Sequence, residues 1–232
     1  MTKFLERLFV WLGGGLFVTA LALTGWSYAL WLGRPQPWAG WAPVVFNLGL
    51  VSIFALHHSA FARTRMKALL AALWPERLLR SLYVWIASVL LVLVCLFWRT
   101  IGGEVYQAPQ SWLTILHALA QLTGVWLIAR SVRAIDALEL AGIRPARPVS
   151  GADTLQVSGP YRLVRHPLYL GWILIVFGAA HLTGDRVAFA AMTTLYLLVA
   201  IPWEERSLEE AFGAAYVRYK ERVPWRVLPF VY

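Results

Sequence analysis

Charged residues are scarce in this chain of 232 residues. Lys, Arg, Asp and Glu together make up 14% of it, whereas a soluble domain carries about 25%. Apolar residues reach 59% and are arranged in long uninterrupted runs. Runs of this kind are typical of integral membrane proteins. The composition therefore excludes an ordinary soluble domain and predicts one polytopic membrane domain over residues 1–232.

Cysteine is almost absent as well. The single one, Cys95, lies within an apolar run and can form no intramolecular disulfide. The sequence has no Cys/His cluster with the spacing of a metal centre, and neither a phosphate-binding loop nor a dinucleotide fingerprint. A Ser-His-Asp hydrolase is conceivable with Ser59 or Ser158, but neither serine lies on a nucleophile turn. We therefore expect no metal cofactor.

The apolar runs predict an all-α membrane protein with about six transmembrane helices. Residues 1–130 would hold four of them, and residues 131–232 would hold a cofactor-binding loop, a short helical hairpin and a C-terminal amphipathic helix. The predicted spans are Leu8–Leu32, Pro43–Phe61, Ser81–Trp98, Ser111–Ala129, Leu168–Leu182 and Val187–Trp203.

The net charge of +9 is distributed very unevenly about these spans. Eighteen Lys and Arg residues fall on one side, and only Arg34, Arg99 and Arg186 fall on the other. This asymmetry follows the positive-inside rule. It predicts a protein of a bacterial-type inner membrane with both termini and both long loops in the cytoplasm. The basic character is thus a topology signal, and we expect no nucleic-acid partner.

Two polar motifs lie where apolar segments begin and end. The first is SGPYRLVRHPLYLG, Ser158–Gly171, and the second starts with Glu204 and Glu205 and continues to Pro229. Ionisable groups at the edge of the hydrocarbon are costly and usually functional. The predicted hairpin between the motifs returns Glu204 to the side of the membrane that holds His166. Topology alone therefore predicts that the two motifs meet.

Such a set of groups suits an amphoteric small molecule. Arginine pairs with a carboxylate, glutamate with an ammonium group or ribose hydroxyls, and tyrosine with an aromatic ring. S-adenosylmethionine carries all of these groups. The alternative is an interfacial salt-bridge network that holds the hairpin and binds no ligand.

Two further patterns predict packing. Leu208, Phe212, Tyr216 and Tyr219 recur at helical spacing, which predicts an amphipathic helix packed on the rest of the protein and ended by Pro224. His117 lies within an apolar span with Gln121 about one turn away. That pair predicts a hydrogen bond between helices.

The combination GPYRLVRHPLYLG, apolar hairpin and EERSLEEAFGAAYVRYKERVP, over about residues 135–230, resembles the isoprenylcysteine carboxyl methyltransferase and phospholipid methyltransferase superfamily. The N-terminal half, with ALHHSAFAR and RSLYVWIASVLL, resembles the branch of methanethiol S-methyltransferases and NnrU-type membrane proteins. The resemblance implies a membrane-embedded S-adenosylmethionine site. The residues it assigns to the cofactor are Asp153, Thr154, Leu155, Gln156, Tyr161, His166, Pro167, Leu168, Tyr169 and Glu204.

The sequence departs from the family pattern at two positions. The isoprenylcysteine enzymes have a substrate-handling arginine about one turn before the glutamate, where this chain has Ala200. Methanethiol enzymes have a glutamine where GIRPARP has Pro145. The sequence therefore does not decide whether the methyl acceptor is a thiol, a prenylcysteine carboxylate or a lipid. Each of these is small or lipophilic, and we expect it to reach the site from the membrane, whose lipids also contact the protein.

The reaction implied is direct methyl transfer, which depends mainly on orientation. A thiol acceptor must first lose a proton, so His57 or His58 is a candidate general base; the alternative is that one of them makes a structural hydrogen bond. A non-enzymatic NnrU-like membrane factor remains a second interpretation. The catalytic candidates are Arg165, His166, Glu204 and His58.

Overall fold

The computed structural model describes residues 3–62, 70–144 and 155–232. Asp153 and Thr154, which we expect at the cofactor, lie outside the described residues. The helices are α1 Lys3–Trp26, α2 Trp41–Ala62, α3 Glu76–Phe97, α4 Ser111–Ile135, α5 Ala137–Leu140, α6 Pro167–Phe177, α7 Gly184–Phe212 and α8 Ala214–Arg222. The strands are β1 Glu104–Gln107 and β2 His181–Thr183, a π-helical turn spans Ser27–Trp31, and a 3₁₀ turn spans Gly159–Arg162.

Within the described residues, five helices are long and apolar enough to cross a membrane. They are α1 with its π-helical extension, α2, α3, α4 and α7. The protein is therefore an all-α integral membrane protein in its main architecture, as the composition predicts. The expected fifth span, Leu168–Leu182, differs: its helix α6 has 11 residues, about 16 Å at 1.5 Å per residue, or roughly half of a hydrocarbon core. A crossing by this segment stays a prediction.

A short β pair replaces helix and turn at two places. β1 and β2 are hydrogen-bonded neighbours in a two-stranded sheet, which continues where the Ala108 amide donates to the Ala180 carbonyl at 2.8 Å. The sequence predicts a turn-rich link in the region of β1 and the end of an apolar helix in the region of β2. The two-stranded pairing provides hydrogen-bond partners for the backbone of the segment that follows the helix end at Phe177.

The chain forms two compact units that interleave along the sequence. One comprises the described residues within 1–104, 137–146 and 183–185, and the other those within 105–136, 147–182 and 186–232. These boundaries differ from the division at residue 130 that the spans suggest. Organisation as a single domain stays a prediction.

In the first unit, a buried carboxylate organises the loop after α3. Asp185 is 3% exposed and accepts hydrogen bonds from the amides of Ile101 and Gly102 at 2.9 and 2.8 Å. It also accepts one from Trp98 Nε1 at 2.7 Å. Several donors of this kind satisfy a carboxylate that burial would otherwise destabilise.

In the second unit, α4 and α6 pack with their backbones in contact. A Cβ on Gly124 would lie 2.5 Å from the Gly171 carbonyl oxygen, and one on Gly171 would lie 2.8 Å from that of Gly124. Two polar side chains of α4 bond the backbone of α6 and the residue after it. Gln121 donates to the Ile175 carbonyl at 3.0 Å, and His117 Nδ1 lies 3.2 Å from the Gly178 oxygen. The predicted interhelical hydrogen bond is confirmed.

The tail of the second unit is helical in two pieces. α7 continues beyond Glu204 to Phe212, and α8 begins after Gly213, whose φ of 54° is in the region that favours glycine. The four residues predicted at helical spacing do pack together, in what we call the tyrosine cluster. It comprises Tyr216, Tyr219 and Val223, with Leu155, Tyr161, Leu208 and Phe212 against them.

We expect Gly124→Ala to destabilise the second unit by about 1–3 kcal/mol, because the new methyl group overpacks a backbone contact. The matched control is Gly49→Ala within α2, where an added Cβ meets nothing within 4 Å. Alanine there should be neutral or stabilising by about 0.5–1 kcal/mol. Thermal unfolding of both variants in the same detergent checks this, and equal midpoints would contradict the close packing.

Candidate functional site

Arg165 connects three parts of the second unit. Its Nε donates to Glu205 Oε1 at 2.6 Å. One terminal nitrogen, NH1, donates to the carbonyls of Val223 and Pro224 at 2.8 and 2.7 Å. The guanidinium therefore joins the first polar motif, α7 and the chain beyond α8. This geometry gives Arg165 a structural function, and its catalytic role stays a prediction.

The tail also bonds the first motif through its backbone. The Arg165 amide donates to the Trp225 carbonyl at 2.9 Å, and the His166 amide to the Arg226 carbonyl at 2.8 Å. These bonds place Arg226 beside the motif, where its Nε donates to Glu205 Oε2 at 3.2 Å. The contribution of Arg226 was not predicted from the sequence. The one signal in the sequence is its position directly after the Pro-Trp pair that follows α8.

The two adjacent glutamates have different environments. Successive residues of a helix point about 100° apart, so one carboxylate enters the protein while the other faces outward. The Glu205 side chain is 6% exposed and lies between Arg165 and Arg226. The Glu204 side chain is 47% exposed. Glu205 is thus neutralised by the protein, and Glu204 is accessible to a ligand.

Glu204 is held by two aromatic side chains of the first motif. The Tyr169 hydroxyl donates to Glu204 Oε2 at 2.7 Å, and His166 Nδ1 lies 3.5 Å from the same oxygen. The other ring nitrogen of His166 lies 3.4 Å from Glu205. The His166 and Tyr169 rings are stacked, with centroids 5.2 Å apart. The structure therefore brings His166, Tyr169 and Glu204 together, as the topology predicts.

Burial raises the pKa of three tyrosines of the cluster, Tyr161, Tyr216 and Tyr219. Burial raises the pKa of Tyr161 to about 12, and the negative charge of Glu204 adds to the shift. Burial also raises the pKa of Tyr216, with Glu205 the next cause. The Tyr219 hydroxyl donates to the Tyr161 carbonyl at 2.7 Å. All three hydroxyls therefore stay protonated at neutral pH and can act as donors.

The hydroxyl of Tyr216 is buried and makes no hydrogen bond to any described residue. Buried hydroxyls usually have a partner. After burial, the negative charges of Glu205 and Glu204 also raise the pKa of this tyrosine.

The other predicted cofactor residues surround the same region. Leu155 packs on the tyrosine cluster, and Gln156 donates to the Ser158 hydroxyl at 2.7 Å. Pro167 is buried and Leu168 half-buried in the first turn of α6. Contact of these residues with a cofactor stays a prediction.

His58 belongs to the first unit, where it has aromatic partners. It is hydrogen-bonded through Nδ1 to the Tyr83 hydroxyl, and its ring stacks on Phe54 with centroids 5.7 Å apart. The guanidinium of Arg80 lies 5.5 Å from the Tyr83 ring centroid. The hydrogen bond agrees with the structural interpretation of the histidine pair, and the role of His58 as a general base stays a prediction.

Comparison with known proteins identifies relatives along most of the chain. Residues 112–215 match the family described as phospholipid methyltransferase. Methanethiol S-methyltransferase 2 of Bradyrhizobium diazoefficiens is 38% identical over 194 residues, which cover 79% of this chain and 73% of that protein. Methanethiol S-methyltransferase of Mycobacterium tuberculosis is 34% identical over 193 residues, 78% of each chain. Human Nurim is 29% identical over 195 residues, covering 77% and 72%. No solved structure gives a significant match.

These relatives and the apolar helices define an integral membrane methyltransferase by class. The chain belongs to the phospholipid methyltransferase family, in the branch that includes the methanethiol S-methyltransferases and Nurim. The resemblance stated from the motifs is thereby confirmed.

We expect Arg165→Ala to lower the free energy of unfolding by about 3–5 kcal/mol, because it leaves the buried Glu205 carboxylate without its closest cation. The control is Lys220→Ala, which breaks the half-exposed ion pair with Glu209 and should cost about 1 kcal/mol or less. Denaturant titration of the purified variants measures both. Similar losses would show that the Arg165–Glu205 pair does not hold the tail.

Proposed function

We propose that this protein is an S-adenosylmethionine-dependent methyltransferase whose acceptor is a small thiol. The observation that carries the proposal is the division of the glutamate pair. Glu205 is buried between two arginines, whereas Glu204 is 47% exposed and, among the described residues, is held by Tyr169 and His166. A carboxylate oriented in this way suits a cationic or hydroxylated ligand.

The residues present fit this cofactor. Glu204 would accept hydrogen bonds from its ammonium group or ribose hydroxyls, and the stacked rings of His166 and Tyr169 would contact its adenine. The Tyr216 hydroxyl, buried and without a described partner, is a donor suited to its polar atoms. Asp153 and Thr154 stay predicted contacts. When bound, S-adenosylmethionine supplies an electrophilic methyl group.

The protein's own contribution is orientation. Direct transfer needs no protein nucleophile, and correct placement of the reactants supplies much of the rate. The Arg165–Glu205 network fixes α7 against the first motif, so the Glu204 carboxylate has one defined position. The acceptor sulfur would form a bond to the methyl carbon as the donor's sulfonium–carbon bond breaks, the demethylated donor would leave as a neutral thioether, and the thiol proton would pass to a base or to water. We propose His58 as the base that accepts the thiol proton.

A thiol is favoured as acceptor by the relatives. Two of those described above are named for methanethiol, and the match covers most of both chains. The position of the substrate-handling arginine of isoprenylcysteine enzymes is Ala200, which removes a group suited to a larger, carboxylate-bearing acceptor. A prenylcysteine carboxylate and a lipid acceptor therefore become alternative outcomes of the test.

A non-enzymatic membrane factor is the second candidate. It is supported by the similarity to Nurim, a name that states no activity, and by the network of Arg165, Glu205 and Arg226, which holds the tail through contacts within the protein. Saturable binding of S-adenosylmethionine distinguishes the two candidates, because a purely structural factor has no reason to bind it.

We expect Glu204→Gln to reduce methyl transfer at least 100-fold, because the amide loses the charge that binds the cofactor while keeping its size. Glu210→Gln, on the exposed part of the same helix, is the matched control and should retain activity. Purified protein receives S-adenosylmethionine labelled on the methyl group, with methanethiol, a prenylated cysteine or a lipid extract as acceptor.

The outcomes separate the proposals. Label in dimethyl sulfide supports the thiol, whereas label in one of the other acceptors replaces it. Full activity in Glu204→Gln would exclude the assigned site. Absence of both turnover and saturable binding in the wild-type protein would favour the non-enzymatic factor.

We also propose that both termini lie in the cytoplasm of a bacterial-type inner membrane, on the basis of the eighteen-to-three distribution of Lys and Arg. A cysteine added at either end of a Cys95→Ala variant can be probed in whole cells with a membrane-impermeant maleimide. Both added cysteines should be protected until the cells are lysed. Labelling of one end only would indicate an odd number of crossings and exclude a crossing by the α6 segment.

A further inference from the structure

An open cavity of about 570 Å³ lies in the second unit, beside the tyrosine cluster. One wall comes from the segment before the first motif together with Arg162 within the motif, and the other comes from α8 and the residue after it. The volume is in the range of sites for small molecules and lipid head groups. Its lining residues are Leu155, Val157, Arg162, Ala215, Arg218, Tyr219, Arg222 and Val223.

The cavity lining is cationic. Three of its residues are arginines and none is acidic. Within the described part of the chain, none of the three guanidiniums forms an ion pair, whereas the neighbouring Lys220 is paired with Glu209. Arg218 and Arg222 are four residues apart on α8 and so share one face, where like charges repel. An anion between them would relieve this repulsion.

The shape of the charged groups favours phosphate. Guanidinium is planar and donates two parallel hydrogen bonds to one phosphate group. Arg162 on one wall and Arg218 and Arg222 on the other provide such donors from two sides. Leu155 lines the cavity and is also an expected cofactor contact, whereas His166 and Tyr169, which hold Glu204, do not line it.

Exposed apolar residues adjoin the arginines. Val157 lines the cavity, Leu163 follows Arg162 and Val217 precedes Arg218, and the three are 43%, 51% and 43% exposed. A soluble anion would account for the arginines but not for these side chains. Basic groups interleaved with exposed apolar ones are typical of a surface that contacts anionic lipid.

We propose that this cavity binds the phosphate-bearing head group of an anionic phospholipid from the adjoining leaflet, as a bound lipid and not as the methyl acceptor. The proposal goes beyond methyl transfer and requires no turnover. It has one consequence for the proposed cofactor site. Arg162 follows Tyr161, and Tyr219 joins the cavity lining to the Tyr161 carbonyl. A bound head group therefore steadies the segment that carries Leu155, Gln156 and Tyr161.

The test uses the full chain in a neutral detergent. Dioctanoyl phosphatidylglycerol, dioctanoyl phosphatidylcholine and inorganic phosphate are titrated separately, with the melting temperature and native mass spectrometry as readouts. The cavity variant is Arg218→Gln/Arg222→Gln. The matched control is Arg130→Gln/Arg133→Gln, which removes two exposed charges from the last turns of α4.

We expect phosphatidylglycerol to bind with saturation and raise the melting temperature, and the cavity variant to bind it at least tenfold more weakly than the control variant. Phosphatidylcholine and phosphate should have little effect at the same concentration. Equal weakening in both variants would indicate non-specific attraction and overturn the proposal, as would phosphate that binds as well as the lipid.

A further measurement separates this site from the cofactor site. In the absence of lipid, the cavity variant should bind S-adenosylmethionine as the control variant does. Loss of that binding would assign the cavity to the cofactor and overturn the lipid site. Lipid binding is measured without a methyl donor. The lipid result can therefore be interpreted even if the proposed methyl transfer is not observed.

Discussion

The site depends on the buried ion pair between Arg165 and Glu205. A guanidinium that is nearly excluded from water is stable only if its donors are satisfied. Here the carboxylate of α7 satisfies one donor, and the carbonyls of Val223 and Pro224 satisfy another. The tail can therefore not move away from the first motif without leaving a buried charge unsatisfied. The same ion pair therefore fixes both the tail and α7 against the first motif.

This pair also explains why the second motif begins with two glutamates. One carboxylate oxygen of Glu205 forms an ion pair with Arg165, and the other forms an ion pair with Arg226. A single carboxylate used in this way would have no capacity left for a ligand. Since the next residue on a helix points about 100° away, Glu204 can be rigidly placed by the same backbone and still be exposed. His166 contacts both carboxylates and so couples the structural group to the accessible one.

The meeting of the two motifs was predictable because an apolar run that leaves a membrane surface and returns must bring its ends to one side. The tyrosine cluster was predictable from helical spacing, which identifies a packed face without identifying its partner. The short α6 and the β pair were not. An apolar run has the same composition whether it forms a full span or an 11-residue helix followed by a strand. The role of Arg226 depends on pairing between distant backbone segments, which local pattern does not encode.

The segment from Leu155 to Arg162 has two neighbours of different chemistry. The negative charge of Glu204 adds to the raised pKa of Tyr161, whereas Arg162 lines the cationic cavity. Tyr219 contacts both, since it lines the cavity and bonds the Tyr161 carbonyl. If a head group and a cofactor both order this segment, each reduces the conformational entropy that the other must overcome. Linkage then requires the effect to be mutual: a lipid that tightens cofactor binding must itself bind more tightly to the loaded protein. A membrane lipid would in this way act as a ligand that changes the affinity of the cofactor site, in addition to solvating the protein.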